Sequence, residues 1–334
     1  MSEFAFELAL CARLEADREG VVARQLGAGV ERPGNRVVDV LVVEPGSRFD
    51  ERTRLPPERI PDATVESEVG PGRARYWKDA FDCHPERAER AVERAVDIGF
   101  FERERRGGRE YVRQVARYPD WFGRLIGIEN KPDLGDPGDL EAQLRKDVSL
   151  GVLDAAVLAT ESHVTGAHLN RIPDEVGVWR VHSSGRDGVA SAEGDVEIEV
   201  VREPAPLNVD GPGVELLEEH PGRTEIAVVD ADRKARARRR LAERAYGKGW
   251  RTYDFPDCAE VEPANVAGSD GLPYCAWKGR LVDAAAECGP DCPGYADAEP
   301  PDVDLDAERA ARSSWNRDPE GRARRQAGLD RFGE

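Results

Sequence analysis

Residues 37–43 read Val-Val-Asp-Val-Leu-Val-Val, and five of these seven side chains are β-branched. Such a run predicts a strand that is buried in a sheet. Asp39 lies inside the run, and burying a carboxylate is costly unless a cation or hydrogen-bond donors compensate its charge. The chain must therefore fold around a sheet that accommodates one acid in its core, which favours a functional site on this strand.

A second predicted strand ends in another acid. Residues 125–129 read Leu-Ile-Gly-Ile-Glu, and Lys131 follows Glu129 by two positions. Side chains two residues apart on a strand point to the same face. If Asp39 joins them, two carboxylates and an amine form a site for Mg²⁺ or Mn²⁺. This arrangement suits phosphodiester hydrolysis, in which a metal polarises a phosphoryl oxygen and activates water.

The acids lie in a characteristic order along the chain. A helix with Glu7 comes first, followed by the strand with Asp39, the strand with Glu129-Asn130-Lys131 and a helix with Gln143. This order resembles the PD-(D/E)XK nuclease superfamily, the fold of many restriction enzymes and Holliday-junction resolvases. The resemblance covers about residues 1–182, apart from an inserted block.

The resemblance implies roles for five residues. Asp39 and Glu129 would bind Mg²⁺, and Lys131 would assist the attacking water. Glu7 would join the metal ligands, and Gln143 would be the helix glutamine that is common in one branch of the superfamily. All five are therefore expected to be catalytic.

Some features differ from the superfamily pattern. Val38 precedes Asp39 where a proline is usual, and an unusually long 89 residues lie between Asp39 and Glu129. Glu44 is a competing acid on the first strand. An alternative interpretation is that Asp39 bonds to a neighbouring turn, and that Glu129 and Lys131 form an exposed ion pair worth about 0–1 kcal/mol.

The whole pattern predicts an α/β protein with a restriction endonuclease-like mixed sheet flanked by helices. It adds an inserted small α+β, winged-helix-like block and a C-terminal cysteine-rich metal module. A long amphipathic helix is predicted over residues 4–26. We place the parts of the chain as follows: nuclease-like core, 1–48 and 118–205; insert, 49–117; basic helix and metal module, 206–295; charged, partly disordered tail, 296–334.

Two arginine-rich segments are candidate nucleic-acid contacts. The insert ends in a helix, a strand, a Gly107-Gly108 turn and a strand, which resembles a winged helix. Arginines there and on a basic helix over residues 232–246 could contact phosphates. The alternatives are a structural insert and a helix that neutralises acidic neighbours. The candidate residues are Arg105, Arg106 and Arg109 near the wing, and Arg233, Arg236 and Arg240 on the basic helix.

Four cysteines follow the basic helix. Cys258, Cys275, Cys288 and Cys292 are separated by 16, 12 and 3 residues and lie beside prolines and glycines that form turns. Four thiolates from loops can close a tetrahedral Zn²⁺ site or, alternatively, hold an iron–sulfur cluster. Cys11 lies in the apolar stripe of the first helix, which favours core packing.

The net charge bears on environment and partners. Asp and Glu total 66 against 48 Lys and Arg, giving a formal charge of -18, as is typical of proteins that work at high salt. At molar salt the Debye length is about 3 Å, so this charge does not exclude DNA as a partner. The sequence contains no run of 18 apolar residues, so it predicts no membrane-spanning helix. Residues 1–3 lack the basic start of a secretory signal, so we expect a cytoplasmic location.

The sequence therefore predicts a Mg²⁺-dependent DNA nuclease in DNA repair, recombination or defence. Two alternatives remain open. One is a catalytically inactive DNA-binding or regulatory protein of the same fold, and the other is a structural zinc-binding protein. DNA is the expected partner, and the sequence is compatible with a homodimer.

Overall fold

The computed structural model describes residues 2–32, 34–135, 138–184 and 193–313 of the chain. Its strands are β1 (Val21–Gly27), β2 (Val37–Pro45), β3 (Arg75–Tyr76), β4 (Phe101–Arg106), β5 (Arg109–Gln114), β6 (Phe122–Asn130), β7 (Ala155–Thr160), β8 (Gly177–Ser184), β9 (Glu193–Arg202), β10 (Gly213–His220), β11 (Arg223–Val229), β12 (Val261–Val266), β13 (Ser269–Cys275) and β14 (Arg280–Leu281). Its α-helices are α1 (Glu3–Asp17), α2 (Phe49–Thr53), α3 (Asp62–Val65), α4 (Pro85–Asp97), α5 (Leu140–Leu150), α6 (Gly166–Leu169), α7 (Ala231–Lys248), α8 (Ala284–Glu287) and α9 (Leu305–Arg312).

The main sheet is mixed. Within the described residues its order is β1-β2-β6-β7-β8-β9-β12-β13-β14. Strands β1, β2 and β6 are antiparallel neighbours, whereas β6, β7 and β8 are parallel. Helix α5 connects β6 to β7, as a parallel pair requires a crossover. The expected mixed α/β sheet with flanking helices is therefore confirmed.

Helices cover both faces of this sheet. Helix α1 packs on one face in a core cluster with Val40, Ile128 and Val157. Helix α7 packs on the other face, where Leu241 and Tyr246 join a cluster that contains Leu41 and Val43. Residues that alternate along β2 thus enter opposite cores, which is why the run is apolar throughout.

The predicted helix over residues 4–26 is wrong in its second half. Helix α1 ends at Asp17, and Val21–Gly27 forms β1, paired with β2. Gly20 makes the change of direction with a φ of +120°. A Cβ at this position would lie 2.3 Å from the carbonyl oxygen of Val43, so the turn requires glycine.

The insert has a core of its own. Strands β3, β5 and β4 form a three-stranded sheet in that order, and β4 and β5 join at the predicted Gly107-Gly108 turn. Trp77, Val92, Phe100 and Phe101 are buried in a cluster that includes no residue of the main sheet. The block thus folds as a small α+β unit.

The C-terminal part completes the main sheet. Helix α7, which the sequence analysis grouped with the cysteines, packs instead on the sheet that carries the acids. Strand β12 continues that sheet by pairing with β9 at Asn265↔Glu193 and Val266↔Gly194. In the predicted tail, Leu305–Arg312 forms α9, and residues 314–334 lie outside the described residues. None of the described helices is long and apolar enough to cross a membrane.

Candidate acidic site at the end of strands β2 and β6

The two predicted metal-binding acids lie on adjacent strands. Val40 pairs with Ile128 in the antiparallel ladder between β2 and β6, so the same register brings Asp39 beside Glu129. The negative charge of Asp39 contributes to raising the pKa of Glu129. The strands therefore bring together two acids that are 90 positions apart in the sequence.

Asp39 accepts two hydrogen bonds where the β2–β6 ladder ends. The backbone N–H of Asn130 donates to Oδ2 at 2.9 Å, and the Gln25 amide lies 3.4 Å from Oδ1. Burial raises the pKa of Asp39, although the Asn130 hydrogen bond and the Arg36 charge act in the opposite direction. Asp39 thus takes the place of a strand carbonyl as the acceptor for Asn130.

Glu7 reaches the same region from α1. Its carboxylate forms an ion pair with Arg24, whose Nε lies 2.8 Å from Oε1, and accepts a hydrogen bond from Gln25 Nε2 at 2.6 Å. Burial raises the pKa of Glu7 to about 7, against the lowering effects of Arg24 and Gln25, and the charge of Asp39 raises it further. The Gln25 amide therefore connects Glu7 to Asp39.

Gln25 holds this position with an unusual backbone. Its φ is +53°, a left-handed conformation in the middle of β1. Such a conformation costs about 1 kcal/mol or more for a residue other than glycine. It turns the Gln25 side chain toward the two acids, so the strain coincides with the candidate site.

Glu129 is paired with an arginine that the sequence analysis did not identify. Arg36 Nη2 donates to Glu129 Oε2 at 2.6 Å, and the same guanidinium forms two 2.8 Å hydrogen bonds with Asp147. All three residues are buried. Burial raises the pKa of Glu129 to about 7, although Arg36 acts to lower it. The hydrogen bonds and charges of both acids raise the pKa of Arg36 despite its burial.

Asn130 and Lys131 follow Glu129. The Asn130 amide donates to the Glu3 carbonyl at 3.1 Å, and its buried Oδ1 has no hydrogen-bond partner within the described residues. The Lys131 backbone N–H bonds to the Ala159 carbonyl at 3.0 Å. Over the described part of the chain, no ion pair or hydrogen bond engages the Lys131 ammonium, which is half-buried. The ammonium remains available for an anion.

Gln143 lies on α5 but is not part of the hydrogen-bond network of the acids. It is half-buried, and its side chain makes no hydrogen bond to a described residue. The residue of α5 that reaches the site is Asp147, one turn further along the helix, through Arg36. The predicted helix α5 is therefore present, but Asp147 rather than Gln143 connects it to the acidic site.

The wing arginines are partly neutralised. Arg105 lies 3.3 Å from Glu110, and Arg106 pairs with Glu104. Arg109 stacks over the Tyr76 ring at 5.5 Å and, within the described residues, forms no ion pair. Of the three predicted phosphate contacts on the wing, Arg109 is the one whose charge no described acid neutralises.

Most basic residues of α7 bind within the molecule. Arg233 pairs with Glu31, and Arg240 lies 3.3 Å from Glu66 of the insert. Arg238 and Arg244 pair with Asp154 and Asp62, at 2.9 Å and 2.6 Å respectively. Arg236 is exposed and unpaired among the described residues. The helix thus mainly neutralises acidic neighbours, the alternative stated above.

Three of the four predicted cysteine ligands lie together in one small cluster. Cys258 and Cys275 are buried in one small cluster, and Cys288 packs against it. Among the described residues, the ligand atoms that lie within 4.8 Å of one another in a group of three belong to Glu218, His220 and Glu225, on the exposed β10–β11 hairpin. Neither the acids described above nor the cysteines form such a group.

Sequence reasoning identified the acids but missed their partners. Arg36 lies in a loop and carries no motif, and Gln25 fell inside the residues that were predicted to extend the first helix. A strand assignment for residues 21–27 would have placed Gln25 opposite Asp39, because β1 and β2 pair in register on either side of them. No local pattern points to Asp147.

The chain matches a protein-family model. A model described as a family of unknown function (DUF5787) matches residues 21–297, most of the chain. No curated protein and no solved structure gives a significant match.

Proposed function

We propose that this chain, which belongs to the DUF5787 family, is a divalent-metal-dependent DNA nuclease with a restriction endonuclease-like core. The observation that carries the proposal is the juxtaposition of Asp39 on β2 with Glu129 on β6, followed two residues later by Lys131, whose ammonium has no partner among the described residues. Two carboxylates on neighbouring strands and a free amine are the groups that metal-assisted phosphodiester hydrolysis needs.

The order of the elements supports this fold. Helix α1 carries Glu7, β2 carries Asp39, β6 carries Glu129, and α5 leads from β6 into the parallel strand β7. This is the order of acid-bearing elements on which the resemblance to the PD-(D/E)XK superfamily rests. The insert lies between β2 and β6, so it accounts for the long separation of the two acids.

The donor set fits Mg²⁺ or Mn²⁺. The site offers hard carboxylate oxygens from Asp39 and Glu129, with Glu7 connected to Asp39 through Gln25. Mg²⁺ usually takes one or two protein carboxylates and completes its coordination with water and phosphate oxygens. When bound, such an ion would stabilise charge on the phosphate and lower the pKa of a water molecule.

The remaining roles belong to the chain itself. The Lys131 ammonium can hold a nucleophilic water or the developing phosphate charge, because within the described residues it has no competing partner. Gln25 orients Asp39 and Glu7 by donating to both. The unpaired Oδ1 of Asn130 adds a buried acceptor beside Asp39. We further propose DNA as the partner and the cytoplasm as the location.

The test is cleavage of supercoiled, single-stranded and branched DNA with Mg²⁺ in molar KCl. We expect Asp39→Asn and Lys131→Met each to reduce cleavage by about 100-fold or more, since each removes a group acting on the reacting phosphate. Glu44→Gln is the matched control, because Glu44 is on the same strand but lies near Arg18 and Arg124, at 3.7 Å from each. Cleavage that survives Asp39→Asn would refute the site.

One observation favours a second candidate, a DNA-binding protein of this fold that does not cleave. The Arg36 guanidinium already compensates the charge of Glu129, with Nη2 at 2.6 Å from Oε2. A bound metal ion would otherwise neutralise this carboxylate. DNA binding without cleavage in either Mg²⁺ or Mn²⁺, unchanged by Lys131→Met, would select this candidate.

A further inference from the structure

The part of the C-terminal segment that surrounds the four cysteines has only a small hydrophobic cluster of its own. Its own cluster has four buried members, Cys258, Val261, Cys275 and Val282, so half of them are cysteines. The partly buried residues that pack against this cluster are Phe255, Cys288 and Tyr295. Two valines and two aromatic rings contribute little apolar burial to the loops around the cysteines, and small loop-rich regions of this kind are often stabilised by a disulfide or a metal.

The cysteines do not supply disulfides. All six are free, including Cys258, Cys275, Cys288 and Cys292. Cys258 is followed by a turn in which the Val261 N–H bonds to its carbonyl at 3.1 Å, and Val261 pairs with Cys275 in the β12–β13 ladder. Two of the four thiols are thus fixed on neighbouring segments by backbone hydrogen bonds.

The other two thiols approach from the loop after α8. Cys288 and Tyr295 both pack against the cluster that contains Cys258 and Cys275. Cys292 lies in the turn between them, where its N–H bonds to the Gly289 carbonyl at 2.9 Å and its carbonyl accepts from the Tyr295 N–H at 2.9 Å. The chain therefore brings all four cysteines to one region of the molecule. The backbone N–H of Lys278 also lies 3.4 Å from Cys275 Sγ, the kind of donor that stabilises a thiolate ligand.

We propose that Cys258, Cys275, Cys288 and Cys292 bind one structural Zn²⁺ that serves as the core of the C-terminal segment and holds this segment against α1. Zinc bonds to thiolate sulfur are about 2.3 Å long, so the four sulfurs must converge to about 3.8 Å from one another. They are more widely spaced in the structure, where no three of these described sulfurs lie within 4.8 Å of one another. Binding therefore draws the two loops together.

The route from this site to α1 is short. Cys275 pairs with Arg280 between β13 and β14. Arg280 donates to the Ser2 hydroxyl at 3.1 Å, and Ser2 caps α1 by accepting from the Ala5 N–H at 3.3 Å. Arg280 also pairs with Glu287, the residue directly before Cys288. Two ligand segments and the start of α1 are thus joined through one arginine side chain.

Buried apolar contacts extend the same connection. Val266 on β12, Leu272 on β13 and Leu281 on β14 belong to the core cluster that contains Phe6, Leu8 and Leu10 of α1. Because α1 also carries Glu7, a loss of order in the C-terminal segment would change the position of α1 and therefore of Glu7 at the acidic site.

The experiment measures metal content and thiol accessibility in the full-length chain, so its outcome is independent of DNA cleavage. We expect one zinc per chain, and alkylation of the half-exposed Cys288 and Cys292 about 10-fold slower than after chelation. Cys83 in the insert is also half-exposed, and its alkylation should not respond to chelation. Mass spectrometry of the alkylated peptides reports each thiol separately.

Variants separate ligands from bystanders. Cys292→Ser should abolish zinc retention and lower the thermal midpoint, whereas Cys83→Ser should leave both unchanged. Cys292 is only partly buried, so its replacement by serine leaves the apolar core intact. Absence of metal together with rapid alkylation of Cys288 and Cys292 before chelation would overturn the proposal. Iron and sulfide with visible absorption would overturn zinc in favour of a cluster.

Discussion

At the scale of single residues, burial governs the charge of the two glutamates at the acidic site. Glu7 and Glu129 each have a pKa of about 7 although each contacts an arginine, because desolvation outweighs that attraction. In the absence of a metal, both carboxyls are therefore partly protonated at neutral pH. A bound cation would compete with these protons, as for any carboxylate ligand.

Glu7 makes the stability of the protein depend on pH. The carboxyl has a pKa near 4.5 when unfolded and about 7 when folded, so the folded state binds more protons between these values. Its stabilising contribution is complete below about pH 4.5 and is lost as the pH rises through 7, by roughly 3 kcal/mol. We expect Glu7→Gln to remove this dependence in urea unfolding at pH 4.5 and pH 8.

The control for this prediction is Glu141→Gln on α5, which removes an exposed carboxylate. Its free energy of unfolding should follow that of the original chain across the same pH range. Identical pH profiles for Glu7→Gln and the original chain would contradict the raised pKa of Glu7.

At the scale of elements, the loop between β1 and β2 determines where Arg36 lies. Glu215 of β10 is buried and accepts from the Val30 and Glu31 N–H groups, at 3.1 Å and 2.6 Å respectively. The Asn35 amide donates to the Leu216 carbonyl at 2.8 Å. The β10–β11 hairpin thus holds the loop, and the loop delivers Arg36 to Glu129 and Asp147.

Two arginines of this loop should differ in their effect on stability. Arg36→Met leaves two buried carboxylates without a cation, so we expect the free energy of unfolding to fall by about 3–5 kcal/mol. Arg32→Met removes a half-exposed ion pair with Glu218, which should change it by about 0–1 kcal/mol. Urea unfolding at neutral pH in molar KCl measures both.

Equal effects of Arg36→Met and Arg32→Met would show that the buried triad is not a stabilising unit. A double variant that also carries Glu129→Gln should recover part of the loss, because one of the uncompensated charges is then absent.

What the sequence could predict depends on how local the cause is. Helix α5 and the β4–β5 hairpin follow from apolar spacing and a Gly-Gly turn, and both were predicted closely. Strand β1 was mistaken for helix because Val22 and Leu26 are four residues apart, a spacing that both structures allow in a short segment. The acids could be found because a charge within a β-branched run is conspicuous. Arg36, Gln25 and Asp147 could not, since their roles depend on contacts between distant segments.

At the scale of the whole molecule, the acidic surface sets the conditions for folding. The formal charge is -18, and repulsion within such a surface opposes the compact state. Several ion pairs are buried and do not contribute to this surface repulsion. They include Arg52 with Glu243 and Arg251 with Glu15. Salt screens exposed charges far more than buried ones.

The stability should therefore rise with salt. Between about 0.1 M and 1 M KCl the Debye length falls from about 10 Å to about 3 Å, so we expect the thermal midpoint to increase over this range. Differential scanning calorimetry at constant pH measures the change. A midpoint that falls as KCl is added would contradict the prediction.

Helix α4 provides matched variants for the salt experiment. Its exposed acids and exposed arginines form no ion pairs among the described residues. Replacing the acids with their amides should weaken the salt dependence, and replacing the arginines with glutamine should strengthen it. The acids are Glu86, Glu89, Glu93 and Asp97, and the arginines are Arg87, Arg90 and Arg94.

The backbone at Gln25 has a consequence for engineering this protein. Because φ is +53°, the backbone conformation alone would favour glycine there. Glycine, however, has no side-chain amide that could donate to both Glu7 and Asp39. If the proposed nuclease function holds, thermostability and catalysis therefore favour different residues at position 25. A library varied at this one codon, sorted separately for heat resistance and for turnover, should enrich different amino acids in the two selections.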